Sequence, residues 1–170
     1  MTDRSSSREL RVGDGLPEFA GTTDTGRSIS RSDLLGRAAV VFFYPKAGSA
    51  GCSIESREFA RRHDEFVSAG ATIVGVSVDP VEAQQRFRAG CGLPFDLVAD
   101  ADGTIARRFG VLGALRFARR TTFVVAPDGA IVDVIRTWRP GRHAELALDR
   151  VRRLKAGPPG APPESPGPAP

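Results

Sequence analysis

The sequence predicts an α/β fold in which helices flank one central sheet, and three observations carry that expectation. Two apolar runs of strand length, 39–44 (Ala-Val-Val-Phe-Phe-Tyr) and 72–78 (Thr-Ile-Val-Gly-Val-Ser-Val), are rich in β-branched or aromatic residues on both faces. Strands covered on both sides of a sheet need that composition. Each run is followed by a segment whose apolar residues recur at helical spacing. Finally, the apolar segments 121–126 and 131–136 flank Pro127-Asp128-Gly129, a turn sequence, so they are expected to form a hairpin.

In chain order, Pro45 ends the first strand. A helix is expected from Cys52 to about residue 69, with Phe59, His63, Phe66 and Val67 on its apolar face and Gly70 as its stop. On that face His63 reads as a packed core histidine. Asp79-Pro80 opens a helix that runs to about residue 89, because proline suits a first helical turn. The last helix, about 142–155, lines Ala144, Ala147, Leu148, Val151 and Leu154 on one face, and His143 reads as an N-terminal or packing residue. Residues 1–8 are Ser- and Arg-rich and 157–170 are mostly Pro, Gly and Ala; neither end can bury a core, so both are expected to be disordered. The tail has no basic or aromatic anchors beside its prolines and reads as solvated rather than as a polyproline ligand. That leaves one domain over 9–156. With 41% hydrophobic residues in 170, it can fold without metal or disulfide staples.

Composition excludes several classes of function. Nearly all the basic residues behind the net charge of +4 are arginine, scattered with pairs such as Arg61-Arg62, Arg107-Arg108 and Arg152-Arg153, with acidic residues interspersed and no aromatic-basic stripe. A solvated surface is expected, not a nucleic-acid face. No apolar run approaches the roughly 18 residues of a membrane span, so the expected location is the cytoplasm. In a reducing compartment two cysteines do not make a structural framework, and a disulfide between them would be transient and chemical. Cys52, His63, Cys91 and His143 lack the close paired spacings of zinc ligands. Neither a Cys-x-x-Cys pair nor a glycine-rich phosphate loop occurs, and no cofactor is expected.

The informative segment is Pro45-Lys46-Ala47-Gly48-Ser49-Ala50-Gly51-Cys52, between a central strand and the first turn of a helix. Ligands in α/β folds gather at such junctions. A helix N-terminus presents unpaired N–H groups and partial positive charge, which favour the reactive thiolate of Cys52 over its thiol. Thiolate alone does not make an efficient catalyst; a leaving atom that gathers negative charge needs donors. Ser49 can supply a hydroxyl, and Gly51 and Cys52 can supply backbone N–H groups. Pro45, with no N–H and a stiff ring, would shape the pocket and shield the sulfur.

The pattern Pro-x-x-x-Ser-x-x-Cys, preceded by Phe-Phe-Tyr and followed by Ser-Ile-Glu, resembles the active-site loop of the peroxiredoxins, and 41–55 resembles the subfamily called peroxiredoxin Q or bacterioferritin comigratory protein. The resemblance continues through Gly75-Val76-Ser77, Leu93-Pro94-Phe95 with Asp100, Arg120-Thr121-Thr122-Phe123, and Trp138 with His143-Ala144, covering roughly 10–155. It implies a thioredoxin-like fold, a central mixed sheet flanked by helices with an N-terminal peroxiredoxin-type extension. It also implies a thiol peroxidase acting on hydrogen peroxide and organic hydroperoxides, recycled by thioredoxin or a similar dithiol and monomeric. Cys52 matches the peroxidatic cysteine, Pro45 and Ser49 its pocket partners, and Arg120 the arginine that contacts thiolate and peroxide. Strand alternation sends Arg119 to the opposite face. Glu55 matches a recurrent family residue, read here as a local capping or hydrogen-bonding group. Many subfamily members place a resolving cysteine five residues after the peroxidatic one, where this chain has Arg57. Cys91, between Gly90 and Gly92 after the second helix, is then the implied partner, with the sulfurs too far apart to bond in the reduced fold. A one-cysteine enzyme with Cys91 a spectator is the alternative.

A rival reading comes from another reaction class. Ala47-Gly48-Ser49-Ala50-Gly51 is one residue from Gly-x-Ser-x-Gly, and Asp128 or Asp133 precedes His143 in the order of a serine hydrolase. That reading needs Ser49, an acid and His143 to meet.

Overall fold

Seven strands form one mixed sheet in the order β2-β1-β5-β4-β3-β6-β7, in a computed structural model that describes residues 8–157. The expected disorder of the two ends falls, Arg8 and Gly157 apart, outside the described residues. At the centre lies β3 (Ala38–Phe43), buried along its whole length. It pairs in parallel with β4 (Ala71–Ser77), which pairs in parallel with β5 (Asp96–Ala99). On the other side it runs antiparallel to β6 (Thr121–Val125), which turns through Gly129 into β7 (Ile131–Ile135). The hairpin is closed by Ala126 N–H donating to the Ala130 carbonyl at 2.8 Å, and Asp128 Oδ1 accepts from Ala130 N–H at 2.9 Å. An N-terminal ribbon, β1 (Ala20–Thr23) with β2 (Ser28–Ser30), adds antiparallel to β5 and completes the far edge.

Alternation along β3 divides the core in two. Val40 and Phe42 face a layer that also holds Cys52, Phe59, Phe66, Phe87 and Val151. Val41 and Phe43 face the other layer, with Val76, Phe109 and Phe123. The first layer is covered by α1 (Ala50–Arg61), α2 (His63–Ser68), α3 (Val81–Cys91) and α5 (Arg142–Ala156), and the second by α4 (Thr104–Arg108) and the N-terminal segment. Phe42 stacks on Phe59 at 4.5 Å between ring centroids and meets Phe95 edge-on at 5.6 Å. Gly75 permits this layer: a Cβ there would lie 2.8 Å from Phe42 Cζ and 2.9 Å from Leu97 Cδ2. Truncating Phe59, fully buried on α1, should cost about 3–5 kcal/mol of stability in Phe59→Ala, checked by chemical denaturation.

The structure corrects two expectations about the helices. The single helix expected over 52–69 is two, broken at Arg62, whose φ of −99° and ψ of 6° leave the helical region. The break lets Phe66 pack on Phe59 at 5.8 Å while Val67 turns outward, 57% exposed, and His63 is half-buried, tilted against Phe95 at 6.4 Å, rather than in the core. No Gly or Pro marks the break, which is settled by packing alone. The third helix runs two residues past its expected end, so Cys91 is its last residue and not part of a following loop. Gly92, with φ of +62°, takes the left-handed capping position, which glycine adopts without a Cβ penalty.

Candidate active site

The segment 45–49 forms a tight passage from sheet to helix. Tyr44 N–H still donates to the Val76 carbonyl at 3.1 Å, and half-buried Pro45 then ends the strand. Ala47 N–H is held by Asp79 Oδ2 at 2.7 Å, an oxygen that also accepts from the Ser77 hydroxyl at 2.7 Å. Gln84, on the helix that ends at Cys91, donates to the same Ser77 hydroxyl at 2.7 Å and accepts from Tyr44. A buried polar chain thus ties the loop before Cys52 to the helix of Cys91, and residue patterning showed none of it. Ser49 is the N-cap of α1, and its Oγ accepts from Cys52 N–H at 3.4 Å. That N–H was expected to be free for a substrate; it is instead partnered. The Ser49 hydrogen meets no acceptor among the described residues and is left to donate.

Cys52 is the third residue of α1 and is inaccessible to solvent, its thiol free. Arg120, next to the first residue of β6, lays its guanidinium across the first turn of α1. Nη2 is 3.4 Å from Cys52 Sγ, and Nη1 donates to Glu55 Oε2. Gly51 makes room for it, since a Cβ there would sit 3.1 Å from Nη2 and 3.6 Å from Pro140 Cγ. Arg119 points elsewhere, donating to the Gly110 carbonyl at 2.6 Å. The two neighbours precede β6, and their side chains leave the chain in different directions.

Glu55, one turn after Cys52, is fully buried and does not cap the helix. Its carboxyl is pulled two ways. Burial raises its proton affinity while Arg120 lowers it, and burial prevails, pushing the carboxyl up to about 8. For Arg120, burial works against the charge, but the neighbouring Glu55 and Cys52 outweigh it and hold the guanidinium above the ordinary arginine range. Raised in the fold, Glu55 contributes stability that is complete below its ordinary value of 4.5 and lost as pH rises toward about 8. The melting temperature of the wild type should therefore fall more between those limits than that of Glu55→Gln, as a calorimetric pH series would show.

The Ser49 hydrolase geometry is not assembled. His143 is fully buried, with Nδ1 bonded to the Thr122 hydroxyl at 2.8 Å and Nε2 to the Thr137 carbonyl at 3.0 Å. Asp128 and Asp133 spend their carboxylates on the N–H groups of Ala130 and Val134. Cys91 is half-buried and free, and packs against the same apolar layer as Cys52. It opens onto a cleft of about 310 Å³ lined also by Ala47, Gly48, Ser53, Arg57 and Phe87. Arg57 reaches across to the Gly90 carbonyl at 3.4 Å, bracing α1 against the end of α3.

A fully buried thiol thus stands at a helix start, faced by a guanidinium, beside a mixed sheet. Residues 12–134 match the model of the AhpC/TSA family. A putative peroxiredoxin of Mycobacterium tuberculosis is 37% identical over 154 residues, 87% of this chain and 100% of the relative. The crystal structure of peroxidoxin BcpB from Mycobacterium tuberculosis superposes with a TM-score of 0.79 at 36% identity, covering 85% of this chain and 97% of that one. Structures of the Xanthomonas campestris bacterioferritin comigratory protein, described in terms of alkyl peroxide reduction and trapped intermediates, give a TM-score of 0.75 at 29% identity over 82% of this chain and 98% of that one. The chain belongs to the AhpC/TSA family, among the peroxiredoxins related to bacterioferritin comigratory protein. It is a thiol-dependent peroxidase, an oxidoreductase.

Proposed function

We propose that Cys52 is the peroxidatic and Cys91 the resolving cysteine of a peroxidase for hydrogen peroxide and organic hydroperoxides. The observation that carries this reading is the 3.4 Å contact of Arg120 Nη2 with the buried Cys52 Sγ at an N-terminal helical turn. Sulfur attacks the outer peroxide oxygen, the O–O bond breaks, and the departing oxygen takes a proton to leave as water or alcohol. The thiolate becomes sulfenic acid. Arg120 and the Ser49 hydroxyl are the donors placed to hold the two peroxide oxygens, and Pro45 shields them. Cys91 then displaces hydroxide from the sulfenic sulfur, giving a disulfide and water, and a dithiol such as thioredoxin restores both thiols by exchange.

Cys52 is buried in the first turn of α1 and Cys91 ends α3, and disulfide formation is expected to unwind that first turn and shift Gly90-Cys91-Gly92. The Cys91→Ser variant should reduce one equivalent of peroxide, accumulate sulfenic acid at Cys52 and lose turnover with thioredoxin, all visible by intact-mass spectrometry. Full turnover in that variant would favour a one-cysteine enzyme, and a Cys52–Cys91 link between chains on a nonreducing gel would replace the single-chain route. Ser49→Ala should slow oxidation of Cys52 about 100-fold while costing only about 1 kcal/mol of stability for the lost N-cap, measured by stopped flow and denaturation. No helix among the described residues is long and apolar enough to cross a membrane. Residues 9–156 as the folding unit, a monomer and a cytoplasmic setting complete the proposal.

A further inference from the structure

One buried polar atom at the site has no partner. Among the described residues Glu55 Oε1 meets no hydrogen-bonding group, although Oε2 of the same carboxyl is taken by Arg120. Nδ1 of His143 lies 3.6 Å away, on a side chain as fully buried as Glu55 itself. Helix α5 brings His143 to this place from the far end of the chain. Its Nε2 faces the Thr137 carbonyl, which can only accept, so Nε2 carries hydrogen. Nδ1 is then the titratable nitrogen, with the Thr122 hydroxyl at 2.8 Å on one side and Glu55 Oε1 on the other.

We propose that His143 is a positioning residue for the peroxide reaction: its imidazole and the Glu55 carboxyl together hold one proton, which leaves the charge of Arg120 undivided for Cys52 and the peroxide. With the proton present the pair is neutral overall, and Arg120 faces Cys52 as the only cation of the cluster. Once the proton leaves, Glu55 is an uncompensated carboxylate bonded to Nη1. The guanidinium is then neutralised from behind and holds the thiolate and the peroxide oxygens less strongly. Burial pushes Glu55 up and His143 down, with the Arg120 charge lowering His143 further, so a single proton is held and it resides mainly on the carboxyl.

Among the described residues, the charged groups on the elements packed around the pair are engaged elsewhere. On α1, Glu58 is taken by Arg61 and Arg62 at the surface; on α5, Arg142 pairs with Glu145, and Arg150 donates to the Val132 carbonyl. Toward β6 and the loop after β7 the neighbours are Thr122 and the Thr137 carbonyl. On β7, Asp133 is turned to its own strand.

The inference rests on Cys52 as the reacting thiol, and the experiment separates the two. In a Cys91→Ser background, the rate of Cys52 oxidation by hydrogen peroxide is measured by rapid quench from about pH 6 to about pH 9.5. The parent should lose rate on the alkaline side with a midpoint near the carboxyl's value of about 8. His143→Asn, which keeps a polar group against Thr122 but cannot share the proton, should lose rate about one pH unit lower and be about fivefold slower near pH 8, with little change on the acid side. Glu55→Gln should lose the alkaline fall. The chain has two histidines, so the His143 ring can be followed by NMR in the intact protein; it should respond at the pH of the alkaline fall, and not in Glu55→Gln. An unchanged profile in folded His143→Asn, an alkaline fall that persists in Glu55→Gln, or a His143 ring silent at that pH overturns the inference. Peroxide consumption surviving in Cys52→Ser overturns the underlying reading instead and leaves the NMR result standing.

Discussion

Cys52→Ser should reduce peroxide consumption in the presence of thioredoxin and its reductase to that of the reductants alone. Serine preserves the volume and the helix start, so the fold should survive, but a hydroxyl in this position is neither ionised nor able to store the oxygen as a sulfenic acid. Cys91 cannot take over. It sits at the C-terminal end of α3, where unpaired carbonyls disfavour an anion, whereas Cys52 has a helix N-terminus below it and the Arg120 guanidinium 3.4 Å away. Coupled-assay turnover, with circular dichroism to show the intact fold, checks the prediction. Activity above a few percent of wild type would move the reaction to another group.

Arg120→Ala should slow Cys52 oxidation by about 100- to 1,000-fold, the cost of removing a donor aimed at developing charge in a water-excluded site. The variant also strands Glu55. Its carboxyl, fully buried and already pushed up to about 8 by burial, loses the one group that lowers it and will hold its proton to still higher pH. Destabilisation should accordingly be small in acid, where Glu55 is neutral with or without its partner, and grow as the solution becomes alkaline. Arg120→Lys should recover part of the rate but not all, because one ammonium cannot reach Cys52 and Glu55 with the fork that Nη1 and Nη2 provide. Stopped-flow oxidation and denaturation at two pH values measure both effects. An Arg120→Ala enzyme with the wild-type rate would remove the guanidinium from the pocket chemistry.

The sequence by itself determined those features written in local periodicity. The central strands show as unbroken apolar runs because both faces of β3 and β4 are covered, and the β6–β7 hairpin is declared by Pro127-Asp128-Gly129. Helix α5 is legible because its buried residues follow one face. The junction at Pro45–Cys52 follows from the same periods, whereas the choice of Arg120 over Arg119 came from the resemblance to the peroxiredoxins. Other elements were decided only by the tertiary structure. Strands β1 and β2 are three or four residues long and largely polar, and exist because β5 offers an open edge. The break at Arg62 depends on how Phe66 meets Phe59, which no residue at the break announces. Asp79, holding the loop before Cys52, and His143, beside the unpartnered oxygen of Glu55, are ordinary polar residues in the sequence. Their importance comes from burial together with a partner distant along the chain, and burial of a charge is a property of the assembled layers rather than of any local pattern.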